Sequence, residues 1–172
     1  MTEVKETAIP LNSFMNFYHE SPGHHADAFV GQIDGIVTLE DYILAFFDSP
    51  IFRIERSILS LFLLRRIKQS EIKELASGRS QQFALWKTKK RNEEELLLEV
   101  GDSQIRTWFH TEQEQSNKTK LYFGSAIVPD TTSKNAKEGI GFTFRFFMGF
   151  HKLYSRILLQ SALKKLKRNN NL

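Results

Sequence analysis

The stretch YHESPGHHADAF, residues 18–29, gathers His19, Glu20, His24, His25 and Asp27, side chains of the types that bind metal ions or move protons. Two imidazoles share an ion when they stand at i and i+4 on a helix or i and i+2 on a strand, each oriented by a further hydrogen bond. His24 and His25 are adjacent, so an extended backbone turns them to opposite faces, and Ser21, Pro22 and Gly23 separate them from His19 and Glu20. The spacing therefore predicts no metal site, and no cofactor is implied. The chain has no cysteine, which removes thiolate ligands, disulfides and a cysteine nucleophile.

Two further groupings carry chemistry. In QIRTWFHTE, residues 104–112, strand alternation puts Gln104, Arg106, Trp108 and His110 on one face and Ile105, Thr107 and Phe109 on the other. The first face either points into a cavity or lines the outer surface with Arg106 and His110 solvated and Trp108 partly exposed. Arg106 is the preferred anchor for a carboxylated ligand, because a guanidinium holds a carboxylate by two parallel hydrogen bonds. On the next strand, Tyr122 and Gly124 share one face and Phe123, Ser125 and Ile127 the other. Gly124 leaves room for whatever packs on the sheet, a helix or a ligand, or else marks a bulge that curves it.

The segment FHKLYSR places His151, Tyr154 and Ser155 on or near one helical stripe, with Tyr154 as a cavity wall that ends in a hydroxyl. His151 with Ser155 or Ser125 would supply a base and a hydroxyl nucleophile. Neither pair has an acid at a recognisable spacing, and no G-x-S-x-G elbow, phosphate loop or dinucleotide fingerprint is present. The candidate cavity residues are thus Arg106, Trp108, His110, Tyr122, His151 and Tyr154, and no catalytic residue is assigned.

These side chains need a frame, and 172 residues suffice for a single domain, 1–172. Residues 1–25 read as an extended N-terminal arm leading into a strand at AFVGQI (28–33). Thr38 and Asp41 form a capping box before YILAFF, Ser49 and Pro50 start a second helix running to Ile67, and SEIKELASG forms a third, with Ser70 as cap and Gly78 as terminator. The period then changes to two. FALWKTKK (83–90), EELLLEV (94–100), QIRTWFHTE and TKLYFGSAIV (119–128) are strands of an antiparallel meander, joined by RNEE, GDS and the polar EQEQSNK. After the loop 129–141, residues 141–168 form the longest helix, with one wide apolar face.

Composition narrows the partners. The 15 phenylalanines favour a roomy apolar interior. The net charge of +4 is concentrated in KTKKR (87–91) and KKLKR (164–168), which lack the interleaved aromatics of a nucleic-acid platform, so no nucleic acid is expected. SILSLFLL is too short to span a bilayer, and the polar start MTEVKETAIP lacks the apolar segment of a secretory signal, so the expected location is cytoplasmic and not transmembrane.

The order of elements resembles the helix-grip layout of the START-like (SRPBCC) superfamily: an α+β fold in which a curved antiparallel sheet wraps around a long C-terminal helix, with two or three short helices after the first strand. AFVGQIDGIVTLEDYILAFFDSPIFRIER, LYFGSAIVP and GFHKLYSRILLQSALKKL, over roughly residues 26–166, are similar to an uncharacterised bacterial branch of it. The resemblance implies a cavity between sheet and helix and no particular catalytic residue. The first expectation is non-catalytic binding or transport of a small hydrophobic ligand, a lipid, isoprenoid or aromatic compound. One alternative is a cyclase- or isomerase-like enzyme acting on an enclosed apolar substrate. Another is an interaction module whose helix corner, Phe46 to Ile54, pairs with itself as a homodimer or presses on a membrane surface.

Overall fold

A computed structural model describes residues 3–53, 68–101, 103–129 and 142–170, with the backbone course alone for 142–150 and 170. In chain order the elements are β1 (Lys5–Glu6), α1 (Asn16–Glu20), β2 (His25–Asp34), α2 (Leu39–Phe47), α3 (Gln69–Ala76), β3 (Gln82–Phe83), β4 (Trp86–Arg91), β5 (Glu95–Val100), β6 (Ile105–Glu114), β7 (Lys118–Ile127) and α4 (Phe142–Asn170). The architecture is α+β, with a seven-stranded sheet ordered β1-β2-β7-β6-β5-β4-β3 in which every neighbouring pair is antiparallel. β3 to β7 form the expected meander, and β2 returns to lie beside β7. Among the described residues no helix is long and apolar enough to cross a membrane.

The helix signals act as their chemistry dictates. At the start of α2 the Asp41 amide donates to Thr38 Oγ1 at 3.1 Å while the Thr38 hydroxyl donates back to Asp41 Oδ2 at 2.6 Å. Ser49 then caps the next helical turn, its Oγ accepting from the Phe52 amide at 3.3 Å; that helix is described from Pro50 to Arg53, and its expected continuation to Ile67 lies outside the described residues. α3 differs in its cap. Lys68 occupies that position instead of Ser70, and the Glu71 carboxylate accepts the Lys68 amide at 3.2 Å. Gly78, at φ +77°, ends the helical run in the left-handed region that its missing side chain permits.

Two strand boundaries depart from expectation. The polar EQEQSNK shrinks to a turn of three residues, 115–117, with Asn117 at φ +54°, so β6 and β7 pair without a break from Ile105–Ile127 to Glu114–Lys118. Opposite-charge and polar cross-strand pairs such as Glu112–Lys120 sustain strand structure where sequence polarity suggested a loop. FALWKTKK is divided at Ala84, φ +50°, into β3 and β4, and the β4–β5 register slips between Thr88 and Lys90.

The two faces of the sheet build two separate cores. Phe29 and Ile33 of β2, Leu96 and Leu98 of β5, Phe109 of β6 and Leu121 and Phe123 of β7 pack against α2 and against Leu158, Leu159, Ala162, Leu163 and Leu166 of α4. Gly31 lies in the same row, and a β-carbon there would collide with Leu163, so the glycine sets how closely α4 approaches the sheet. Under α2 the aromatic rings fill the space: Phe46 stands 4.8 Å from Phe109 and 4.9 Å from Phe123, and Phe47 4.7 Å from Phe52 and 5.1 Å from Phe83, centroid to centroid. The interior beneath this half is dense, not roomy. The corner expected as an exposed surface is likewise consumed, since Phe46, Phe47 and Phe52 are buried; Ile54 lies outside the described residues.

The opposite face is covered by the N-terminal segment. Ile9, Met15 and Tyr18 pack on Ala28, Val30, Leu97, Trp108, Tyr122 and Ala126. Residues 1–25, read as an extended arm, instead contain the edge strand β1 and the short helix α1, because Met15 and Tyr18 can bury themselves against the sheet only when the chain folds back over it.

Candidate functional site

The expected polar face of β6 belongs to the side of the sheet away from α4. Trp108 is completely buried there, its indole Nε1 donating to Glu95 Oε2 at 2.7 Å, and the same oxygen accepts the Phe14 amide at 2.8 Å. One buried carboxylate thus ties the N-terminal segment to the sheet. Gly124 pairs directly with Trp108 across the strands, and a β-carbon at Gly124 would lie 2.9 Å from the indole and 3.4 Å from the Met15 methyl. The space at this glycine is taken by Trp108 and Met15, neither by the long helix nor by a ligand.

The other residues of that face make most of their bonds within it, although Arg106 Nε is buried without a hydrogen-bond partner among the described residues. The His110 ring stacks on Trp108 at 5.5 Å and lies 5.1 Å from the Tyr122 ring, and the Tyr122 hydroxyl donates to Glu112 Oε2 at 2.6 Å. Burial and the adjacent Glu112 hold the Tyr122 phenol well above its ordinary range. Arg106 donates from Nη1 to the Ser103 and Ile105 carbonyls at 3.0 Å each, with Glu99 3.9 Å from Nη2. Arg106, Trp108, His110 and Tyr122 therefore do not line a space between sheet and α4. They lie on the opposite face, with Trp108 and Tyr122 packed beneath the N-terminal segment, so Arg106 is not placed to anchor a carboxylated ligand between sheet and α4.

The other two candidates lead to a different group. β2 begins at His25, so its alternation places Asp27 in phase with Phe29, Gly31 and Ile33, on the apolar face that meets α4. Across that interface His151 Nε2 lies 3.9 Å from Asp27 Oδ1. Ser155, one helical turn beyond His151, is buried, and Ser125, the register partner of Asp27 on β7, is buried too. Tyr154, half-buried, packs at the margin of the α4-facing core. The structure thus brings His151 to an acid, Asp27, that lies far from it in sequence.

The electrostatics of this group are unusual. Both Asp27 oxygens and Ser155 Oγ are shut off from solvent and have no hydrogen-bond partner among the described residues. Burial pushes the Asp27 carboxyl above its ordinary range, against the pull of His151, His25 and Lys152; Glu6 adds to the upward shift. Buried polar atoms in folded proteins are nearly all hydrogen-bonded, so the buried Asp27 and Ser155 oxygens, each without a hydrogen-bond partner among the described residues, need a reason. Chemically, the arrangement can accept a hydrogen bond from a donor placed between β2 and α4, or exchange a proton with it.

The adjacent histidines separate as the sequence predicts. His24 precedes β2 and turns to the N-terminal segment, its ring 5.9 Å from that of Tyr18, whereas His25 lies on the side of Asp27 and acts on its charge. Among the described residues no group of three or more histidine, aspartate or glutamate side chains converges as metal ligands. Comparison of the chain with protein-family models, with curated proteins and with solved structures found no match.

Proposed function

We propose that the protein binds a small apolar ligand bearing a hydrogen-bond donor, a hydroxyl or an amine, between the sheet and α4, with Asp27 as its polar anchor. The observation that carries this reading is the pair of buried Asp27 oxygens, without a hydrogen-bond partner among the described residues, on the face that otherwise holds Phe29, Phe123 and the apolar side of α4. Leaving such a group without a bond costs about 1–3 kcal/mol, which a bound donor would recover. Apolar burial would supply most of the affinity and Asp27 the orientation. The sheet and long C-terminal helix also suit a helix-grip, START-like fold, in which this interface is the place for a ligand. Native mass spectrometry of the purified protein, followed by binding of long-chain alcohols and amines to wild type and Asp27→Leu, tests the reading. Donor-bearing ligands should bind the wild type and lose affinity in the variant, while the matching hydrocarbons should not. Equal binding of alcohols by both proteins would sink it.

A second reading rests on the 3.9 Å approach of His151 to Asp27. An acid of raised pKa beside an imidazole can take a proton from an enclosed substrate and return it at another atom, the work of an isomerase or cyclase. Turnover of a bound ligand that is lost in both Asp27→Asn and His151→Gln, with binding retained in the second, would favour it over simple carriage.

A further inference from the structure

Further along α4 a second feature stands apart from Asp27. A groove of about 650 Å³ runs between the C-terminal part of the helix and the turn that follows α2, lined by Asp48, Arg53, Ser161, Lys164, Lys165 and Arg168 among others. Asp48 holds two of its cations in place, accepting from Arg53 Nη2 at 2.9 Å and from Lys165 Nζ at 3.0 Å. Among the described lining residues one carboxylate stands beside four cations, and Lys164 and Arg168, one turn apart and exposed, face no carboxylate within ion-pair distance among the described residues. The described lining is therefore cationic, with two of its cations held by Asp48.

It does not end at the charges. An adjoining depression of about 360 Å³ shares Ser161 and Lys164 with it and continues over Val4, Ile51, Arg156, Ile157 and Gln160; Arg156 lies over the Phe29 ring, 4.0 Å from Glu6. Ile157 is 41 % exposed, and Leu153, one turn before it, is 56 % exposed. A surface that joins valine and isoleucine side chains to lysine and arginine matches a molecule with one apolar and one anionic end. A free inorganic anion would make no use of the apolar half.

We propose that this composite groove binds the phosphate head of an anionic amphiphile on Lys164, Arg168 and Arg53, with the first part of its chain lying over Ile157, Ile51 and Val4. The site is independent of the ligand assigned to Asp27. It is tested by isothermal titration of the full-length protein with dihexanoyl phosphatidic acid kept below its micelle concentration, in parallel with glycerol 3-phosphate and inorganic phosphate. The double variant Lys164→Glu/Arg168→Glu should weaken the lipid at least about tenfold, since charge-assisted contacts become repulsive. Ile157→Ser should weaken the lipid while leaving inorganic phosphate unchanged, and Lys87→Glu, a cation exposed on β4, should leave the lipid unchanged. Thermal melts of each variant establish that it is folded. Lipid binding no tighter than that of glycerol 3-phosphate would overturn the apolar half of the site. Lipid binding insensitive to the charge reversal in a folded variant, or absent from the wild type, would overturn the whole.

Discussion

Asp27 Oδ1 and His151 Nε2 face each other at 3.9 Å across the contact between β2 and α4, the first at the beginning of the sheet and the second on the last helix. Their meeting places an acid with no hydrogen-bond partner among the described residues in the one row of β2 that should be wholly apolar.

The pH dependence of stability follows from the raised Asp27 pKa. Below the ordinary aspartate value of 3.8, folded and unfolded chains both hold the proton and the group is neutral in the balance. As pH rises through that value the unfolded chain ionises first, so the folded state loses stability until its own carboxyl ionises. His151, His25 and Lys152 moderate the loss and Glu6 enlarges it. Asp27→Asn should therefore melt higher than wild type at neutral pH, by an amount that shrinks as pH falls toward the ordinary aspartate value. A wild type that melts above the variant at neutral pH would show the carboxylate to be a stabilising partner of His151.

Ser155→Ala probes the neighbouring hydroxyl. A buried hydroxyl without a partner contributes nothing by its oxygen and carries a desolvation cost, so its removal should leave stability unchanged or raise it by up to about 1 kcal/mol. Urea titration gives the value. A loss of several kcal/mol would mean that the hydroxyl is bonded in solution.

The anchoring of the N-terminal segment should depend on Glu95. Asp or Gln in its place shortens or neutralises the acceptor, whereas Glu95→Leu leaves the Trp108 indole N–H and the Phe14 amide buried without one. The leucine variant should lose about 2–4 kcal/mol and expose the segment before β2 to protease, with a shifted tryptophan emission. Limited proteolysis that cuts wild type and variant equally fast before β2 would remove Glu95 from this role.

Gly31 and Leu163 should be energetically coupled. Gly31→Ala drives a methyl group into the Leu163 side chain and should cost about 1–3 kcal/mol. Leu163→Ala alone opens a cavity and costs about 2–5 kcal/mol. In the double variant the methyl enters the vacated space, so the loss should fall short of the sum by more than about 0.5 kcal/mol. Strict additivity would mean that α4 shifts to accommodate the new methyl.

What sequence makes legible here is what local chemistry governs. The Thr38 and Ser49 caps, the left-handed Gly78 and the alternation of β6 are each decided within a few residues, and each appears where its spacing puts it. The facing of Trp108 was not decidable in that way, because a strand with an aromatic on both faces needs two covers. The second cover is the N-terminal segment, whose Met15 and Tyr18 carry too little periodicity to announce a packed layer. The acid that meets His151 is remote from it in sequence and lies on β2. One local signal did exist. Extending the AFVGQI alternation back by one residue puts Asp27 in the row of Phe29 and Ile33, an acid on an apolar stripe.

Both margins of the sheet are strands of only two residues, β1 and β3. Beyond the short cover of β3, much of β4 presents its backbone at the border, and this is the strand that carries Lys87, Lys89, Lys90 and Arg91, together with the irregular register between Thr88 and Lys90. Lysines and a bulge at a border oppose the approach of a like strand, by repulsion and by misaligned amides. The basic run of KTKKR thus has the composition and irregularity that disfavour pairing of this border with the sheet of another copy of the chain.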